Sequence, residues 1–244
     1  MSPLLLRRKN SHEAGREALR KFQAERRETI RRDWPPWLLL AALNLGAAAT
    51  VGFTTGTTRA IACFILGLFV ALAIVAWRMG GDPHNLTWLW GAVGERQTEK
   101  LLRKLDSSWE CVHDISRGKG NWDHVLVGPA GVFLLDSKRF AGTAVATDDH
   151  LQLGRYSYSG SGFRGDAASL HDALETRVPT PRVKAIVVIW GDFPQKRYEE
   201  NQVAYLRSDE LIGWLRERRG GSPSEVERKA IAQAARELKE AAGA

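Results

Sequence analysis

The apolar positions along this chain change rhythm twice. Over Ser11 to Arg32 they are sparse, with Ala14, Leu19, Phe22 and Ile30 set among Arg16, Arg20, Lys21, Arg26, Arg27, Arg31 and Arg32. So thin a stripe predicts a solvated basic helix over Ser11 to Arg32. Pro35-Pro36 ends it, because proline lacks the amide donor and restricts its predecessor. From Trp37 to Phe53 and from Ala60 to Trp77 the pattern becomes unbroken. Each run is about 18 residues without a charge, against the roughly 20 that span a hydrocarbon core. Trp34, Trp37, Trp77, Trp88 and Trp90 lie where an interfacial aromatic belt would sit. These features predict a two-helix transmembrane hairpin over residues 34–78. A buried helical hairpin is the plainer alternative. Cleavage as a signal peptide, at Ala47-Ala48-Ala49, fits poorly with the long charged lead and the second run.

After the turn-rich linker Gly80-Gly81-Asp82-Pro83, within 79–90, the rhythm shortens. A helix is predicted from about Leu89 or Gly94 to Leu105. Strands follow over Trp109 to Ile115, Trp122 to Val127 and Val132 to Phe140, with Ala144 to Thr147 as a short edge strand. His150 to Gly165, rich in Gly, Ser and Tyr, reads as a loop. Asp166 to Arg177 reads as a helix, Val183 to Trp190 as a strand buried on both faces, and Val203 to Leu206 as a shorter strand. Ser208 starts a helix to about Arg218, and Ser222-Pro223 with Glu225 forms a capping box for the last one. The order gives an α/β class with a mixed sheet flanked by helices, in one domain over 91–206, followed by C-terminal helices over 207–244.

Composition first suggests nucleic acid, since Lys and Arg exceed Asp and Glu by 35 to 28. The excess is local. Residues 1 to 33 hold ten basic and five acidic side chains, whereas residues 94 to 244 hold 23 and 22. The tail therefore bears on topology: basic residues beside a span stay on the cytoplasmic side and attract anionic headgroups. A cell-membrane protein with two spans, both termini cytoplasmic and the lipid bilayer as partner is expected. Nucleic-acid binding by the tail is the weaker reading. Cys63 and Cys111 fall in a predicted span and a predicted strand, so they form no disulfide framework and no CxxC metal signature.

The candidate chemistry lies in the strand pair around Gly128-Pro129-Ala130-Gly131. If Val127 faces Val132, paired position numbers sum to 259 and Asp123 opposes Asp136 on one sheet face. Adjacent carboxylates repel unless a cation joins them, which points to Mg2+ held by Asp123 and Asp136. Alternation puts Lys138 on that face, able to orient water or offset charge on a phosphate, and Ser137 on the other. Glu95 shares the core-facing stripe of its helix with Thr98, Leu102 and Leu105. His124 points to the opposite face and reads as a packing or hydrogen-bonding residue, and His113 and Asp114 lack metal spacing. Arg155, Tyr156, Tyr158 and Arg164 are of the types that stack on bases and hold phosphates, though a plain flexible loop would look the same. There is no P-loop, Rossmann fingerprint, HExxH or nucleophile elbow.

Gly94-Glu95, the segment Asn121-Trp122-Asp123-His124-Val125-Leu126-Val127-Gly128-Pro129-Ala130-Gly131-Val132-Phe133 and Asp136-Ser137-Lys138 resemble the nuclease-related domain (NERD). That family is a branch of the PD-(D/E)XK nuclease-like superfamily, and the resemblance covers residues 91 to 206. It implies a restriction-endonuclease-like fold and Mg-dependent hydrolysis of nucleic-acid phosphodiesters, DNA before RNA, with Mn2+ as the alternative ion. It also implies catalytic roles for Glu95, Asp123, Asp136 and Lys138, with Glu95 assisting metal or water. The family more often carries glutamate where this chain has Asp136, and a glutamine-bearing helix where it has His171 and Asp172. Those departures leave a second expectation, a non-catalytic module that binds nucleic acid or a protein partner at the membrane.

Overall fold

The computed structural model describes residues 23–24, 27–28, 42–54, 56–80, 83–117, 120–147, 149–154, 156–218 and 223–243. The chain divides into two compact units, one of residues 19–89 and one that carries residues 90–244.

In the first unit residues 42–54 form helix α1 and Thr57–Gly80 form α2. The Thr50 and Thr54 hydroxyls bond back to the carbonyls of Gly46 and Thr50 at 2.9 and 3.0 Å, which satisfies them without a partner helix. Among the described residues no helix is long and apolar enough to cross a membrane. That finding corrects the expected cell-membrane location with cytoplasmic termini and leaves the transmembrane hairpin, with its spans over 37–53 and 60–77, and the bilayer as partner without support; residues 37–41 lie outside the described residues. The basic helix expected over Ser11 to Arg32 lies largely outside the described residues, of which 23–24 and 27–28 are helical.

The second unit is built on a mixed sheet. Helix α3 spans Pro83–Leu102, with the proline at its first position, where no amide donor is needed. Strands β1 (Glu110–Ser116), β2 (Asn121–Gly128) and β3 (Gly131–Thr147) form an antiparallel meander. Next come β4 (His150–Leu153), β5 (Tyr156–Ser159), helix α4 (Gly160–Glu175), β6 (Lys184–Asp192), β7 (Arg197–Glu200), β8 (Val203–Arg207) and helices α5 (Leu211–Glu217) and α6 (Glu225–Gly243). The spatial order is β1-β2-β3-β6-β8-β7, with β6 parallel to both β3 and β8 and the other pairs antiparallel; β4 and β5 branch from β3.

Each sheet face has its own core. Val125, Val127, Val132, Leu134, Val187 and Ile189 face Phe163, Leu170 and Leu174 of α4 and Ile231 and Ala235 of α6. Leu126, Phe133, Leu135, Ile186 and Val188 face Leu102 of α3 and Leu211, Trp214 and Leu215 of α5. Burial on both faces explains why β6 reads as one apolar run, since Ile186 and Val187 serve opposite cores.

Several predicted elements shift. The segment expected as a loop over His150 to Gly165 instead forms the β4–β5 hairpin and the start of α4. Leu151 and Leu153 are buried at alternate positions, and the Ser159 hydroxyl caps α4 by accepting from the Ser161 amide at 3.2 Å. The expected edge strand over Ala144 to Thr147 is the continuation of β3 beyond an irregularity between Arg139 and Thr143, where Gly142 takes a φ of 122°. Ser208 does not cap α5; its amide bonds the Ile189 carbonyl at 3.1 Å, and Glu210 stands at the N-cap. Ser222 lies outside the described residues. The capping box before α6 is made by Ser224 and Glu227, whose side chains exchange bonds with each other's amides at 2.6 and 3.4 Å.

Candidate active site

The β2–β3 turn fixes everything that follows. Gly128 pairs with Gly131, and the ladder runs back through Val127↔Val132 to His124↔Leu135, so each pair sums to the predicted 259. Gly131 sits at a φ of 128° that a side chain would strain. A Cβ on Gly128 would lie 2.0 Å from the Trp109 ring, so the ring packs directly against the turn.

Asp123 and Asp136 are the step beyond the last of these pairs. There β3 continues against β6, with Asp136↔Val187 and Lys138↔Ile189. With the ladder ended, the Asp123 carboxylate takes the Ser137 amide, which donates to Oδ2 at 3.1 Å. The Lys138 ammonium lies 2.7 and 3.0 Å from the two Asp136 oxygens. Asp123, Asp136 and Lys138 are all half-buried. The first two help line a cleft of about 20 Å³ with Asn121, Trp122, Phe163 and Asp166, room for one ion or one water.

Burial, and then the Asp136 charge, push the Asp123 carboxyl up to about 7, against the pull of Lys138 and the Ser137 amide. Lys138 is driven the other way. Burial opposes its charge, but Asp136 and Asp123 outweigh it and hold the ammonium protonated well above the ordinary lysine range. Its ammonium also stands 5.1 Å from the Tyr158 ring centre and 5.8 Å from that of Phe163, two stacked rings that form its outer wall.

The other predicted site residues are placed differently. Glu95 is 7% exposed on α3, one turn before Thr98. That helix covers the opposite sheet face, where the Ser137 hydroxyl donates to Thr98 at 2.8 Å. The structure therefore joins Asp123, Asp136 and Lys138 on one face and leaves Glu95 on the helix that covers the other. Tyr158 stands beside Lys138, Tyr156 is 47% exposed on β5, and Arg155 lies outside the described residues. Arg164 is held by both oxygens of Asp149, one at 3.1 Å, and this bond holds the Asp149 carboxyl below the usual range.

Two further carboxylates stand near Asp123: Asp114, which sequence reasoning set aside, and Asp166, which it did not single out. Asp114 falls opposite Asp123 in the β1–β2 register, between His113↔His124 and Ile115↔Trp122, and its charge adds to the upward push on Asp123. It adopts a φ of 56°, and Asn121 donates to it at 2.9 Å. Asp166 lines the cleft and pairs with Arg117 at 2.6 Å. A β1–β2 register, which only the fold supplies, was the signal for Asp114.

The mixed sheet thus carries two carboxylates and a lysine where its central hairpin meets a parallel strand. The family model of the nuclease-related domain (NERD) matches residues 90–190, a stretch that holds Glu95, Asp123, Asp136 and Lys138. No curated protein and no solved structure matches the chain.

Proposed function

We propose that residues 91–206 form a nuclease of restriction-endonuclease-like architecture that hydrolyses nucleic-acid phosphodiesters, DNA in the first instance, with Mg2+ or Mn2+. The observation that carries this reading is the upward push on Asp123 beside Asp136. Two oxygen-donor side chains that resist being charged together suit a hard divalent cation, and the 20 Å³ cleft between them accommodates one. Such an ion, when bound, polarises a phosphoryl oxygen and lowers the pKa of its water.

The chain's own residues then divide the work. Asp123 and Asp136 hold the cation, and the Ser137 amide fixes the Asp123 carboxylate by its 3.1 Å bond. Lys138, paired with Asp136 at 2.7 Å, presents its ammonium toward the phosphate as charge develops there. Tyr158 and Phe163 restrain that ammonium. Glu95 supports metal or water from the α3 side, a role that rests on the family resemblance and on its burial. Tyr156, with Arg155, is assigned to the nucleic-acid strand.

Full-length protein is expected to cut DNA with Mg2+ and to lose that activity in Asp136→Ala. Equal trace activity in both would refute catalysis at this site. Nucleic-acid binding that is indifferent to Mg2+ and never leads to cutting would favour the non-catalytic module instead.

A further inference from the structure

The face of the hairpin turned away from Asp123 holds a second cluster. Cys111 and His113 alternate on β1, and His113 pairs directly with His124 on β2. The Cys111 Sγ lies 3.7 Å from His113 Nδ1, and His113 Nδ1 lies 2.7 Å from His124 Nδ1. The donor atoms of all three lie within 4.8 Å of one another. We propose that Cys111, His113 and His124 bind a divalent transition metal of the zinc class, separate from the carboxylate site.

The donor set suits that ion. One thiolate and two imidazoles favour zinc over magnesium or calcium, and three protein ligands leave a fourth position for water. Metal–nitrogen distances of about 2.0 Å and metal–sulfur of about 2.3 Å set tetrahedral donors roughly 3.3 to 3.6 Å apart. The Sγ···Nδ1 separation of 3.7 Å already matches, and the imidazole pair at 2.7 Å has to open by about half an ångström.

The hydrogen bonds also prepare His124. The Ser137 hydroxyl gives its proton to Thr98, so at 3.4 Å it receives one from His124 Nε2. That leaves the His124 Nδ1 lone pair aimed at His113 and Cys111, and a metal-binding histidine is normally held by such an outer partner. Burial, then His113, keeps this imidazole neutral, as a ligand must be. Burial, then Glu99 and Glu110, raises the Cys111 thiol, so without metal it is an inert thiol and not a redox nucleophile. On binding, Cys111 releases its thiol proton and His113 moves its own from Nδ1 to Nε2. Cys111 and His113 are half-buried, which leaves the ion a way in.

The test uses the full chain carrying Cys63→Ser, so that Cys111 is the sole thiol, stripped with a chelator and titrated with Co2+. One equivalent is expected to produce a thiolate-to-cobalt charge-transfer band and tetrahedral visible bands, both abolished by Zn2+. Cys111→Ser should lose the charge-transfer band. His113→Ala, at a half-buried position, should weaken Zn2+ at least about 100-fold, since outer partners alone contribute 10- to 100-fold. Asp136→Ala should keep the band, because the carboxylate site has no sulfur, and so a failure of the nuclease reading would leave this result untouched. Absence of the band in the parent, or Zn2+ affinity in folded His113→Ala within about threefold of the parent, would overturn the proposal.

Discussion

The Ser137 amide donates to Asp123 at 3.1 Å while the Ser137 hydroxyl donates to Thr98 at 2.8 Å, so one residue ties the carboxylate face of the sheet to the helix on the other side. The backbone bond exists because the β2–β3 ladder ends at His124↔Leu135. A regular ladder would have spent that amide on a carbonyl. Here it orients a carboxylate that its neighbours push toward neutrality.

That push has a pH signature. The Asp123 carboxyl titrates at about 7 in the fold against 3.8 as its ordinary value, so between those limits the folded state holds the extra proton. Stability of the metal-free protein should fall as pH rises from about 4 to about 7 and level off above. Asp123→Asn removes the conflict. It should leave stability unchanged at pH 4 and raise it by about 1–2 kcal/mol at pH 8, a shift discounted for partial exposure. Thermal melts in chelator at the two pH values check this. Mg2+ affinity of the parent should rise with pH up to about 7, since the ligand must be ionised.

Tyr158 was expected among nucleic-acid contacts, and its ring stands 5.1 Å from the Lys138 ammonium. A cation–π contact is worth about 0.5–2 kcal/mol, so Tyr158→Ala should lower kcat about 2- to 30-fold if the ring positions the lysine, with Tyr158→Phe near the parent. If the ring stacks on a base instead, KM rises and kcat holds. Steady-state cleavage kinetics separate the two.

The hairpin and its register were legible because turn chemistry and period-two alternation are local. Gly128-Pro129-Ala130-Gly131 and the paired valines suffice to set Asp123 by Asp136. The Cys111-His113-His124 cluster was not legible, since His124 reaches it across strands and no spacing within one segment reports that. The β4–β5 hairpin was hidden by glycines and serines, with Leu151 and Leu153 as the only buried pair of β4. Arg164, expected to meet phosphate, is spent on Asp149, a pairing between a loop and a helix that no periodicity encodes.

Gly128 offers a direct check on the turn. An alanine there would place its Cβ 2.0 Å from Trp109, which is itself buried against Phe133 with ring centres 6.4 Å apart. Gly128→Ala should cost about 2–3 kcal/mol through overpacking. Adding Trp109→Leu should cost less than the sum of the two single changes, because the clash disappears with the ring. Denaturant titration of the four proteins closes that cycle.

Thr98 is fully buried and serves two donors at once, the Ser137 hydroxyl and the Trp190 Nε1–H, each at 2.8 Å. Thr98→Val keeps the shape and removes the acceptor, stranding two polar groups beneath the site. Each stranded group costs about 1–3 kcal/mol, so the variant should lose about 2–6 kcal/mol and melt roughly 5–20 °C lower. Thr98→Ser retains the acceptor and should lose only about 1 kcal/mol for the missing methyl. Because the Ser137 amide does not depend on Thr98, the Asp123 titration near 7 should survive in both variants at temperatures where they remain folded. Carboxyl-resonance titration by NMR reads this directly, and a return of Asp123 toward 3.8 in Thr98→Val would show that the helix contact, not the end of the ladder, holds the carboxylate in place.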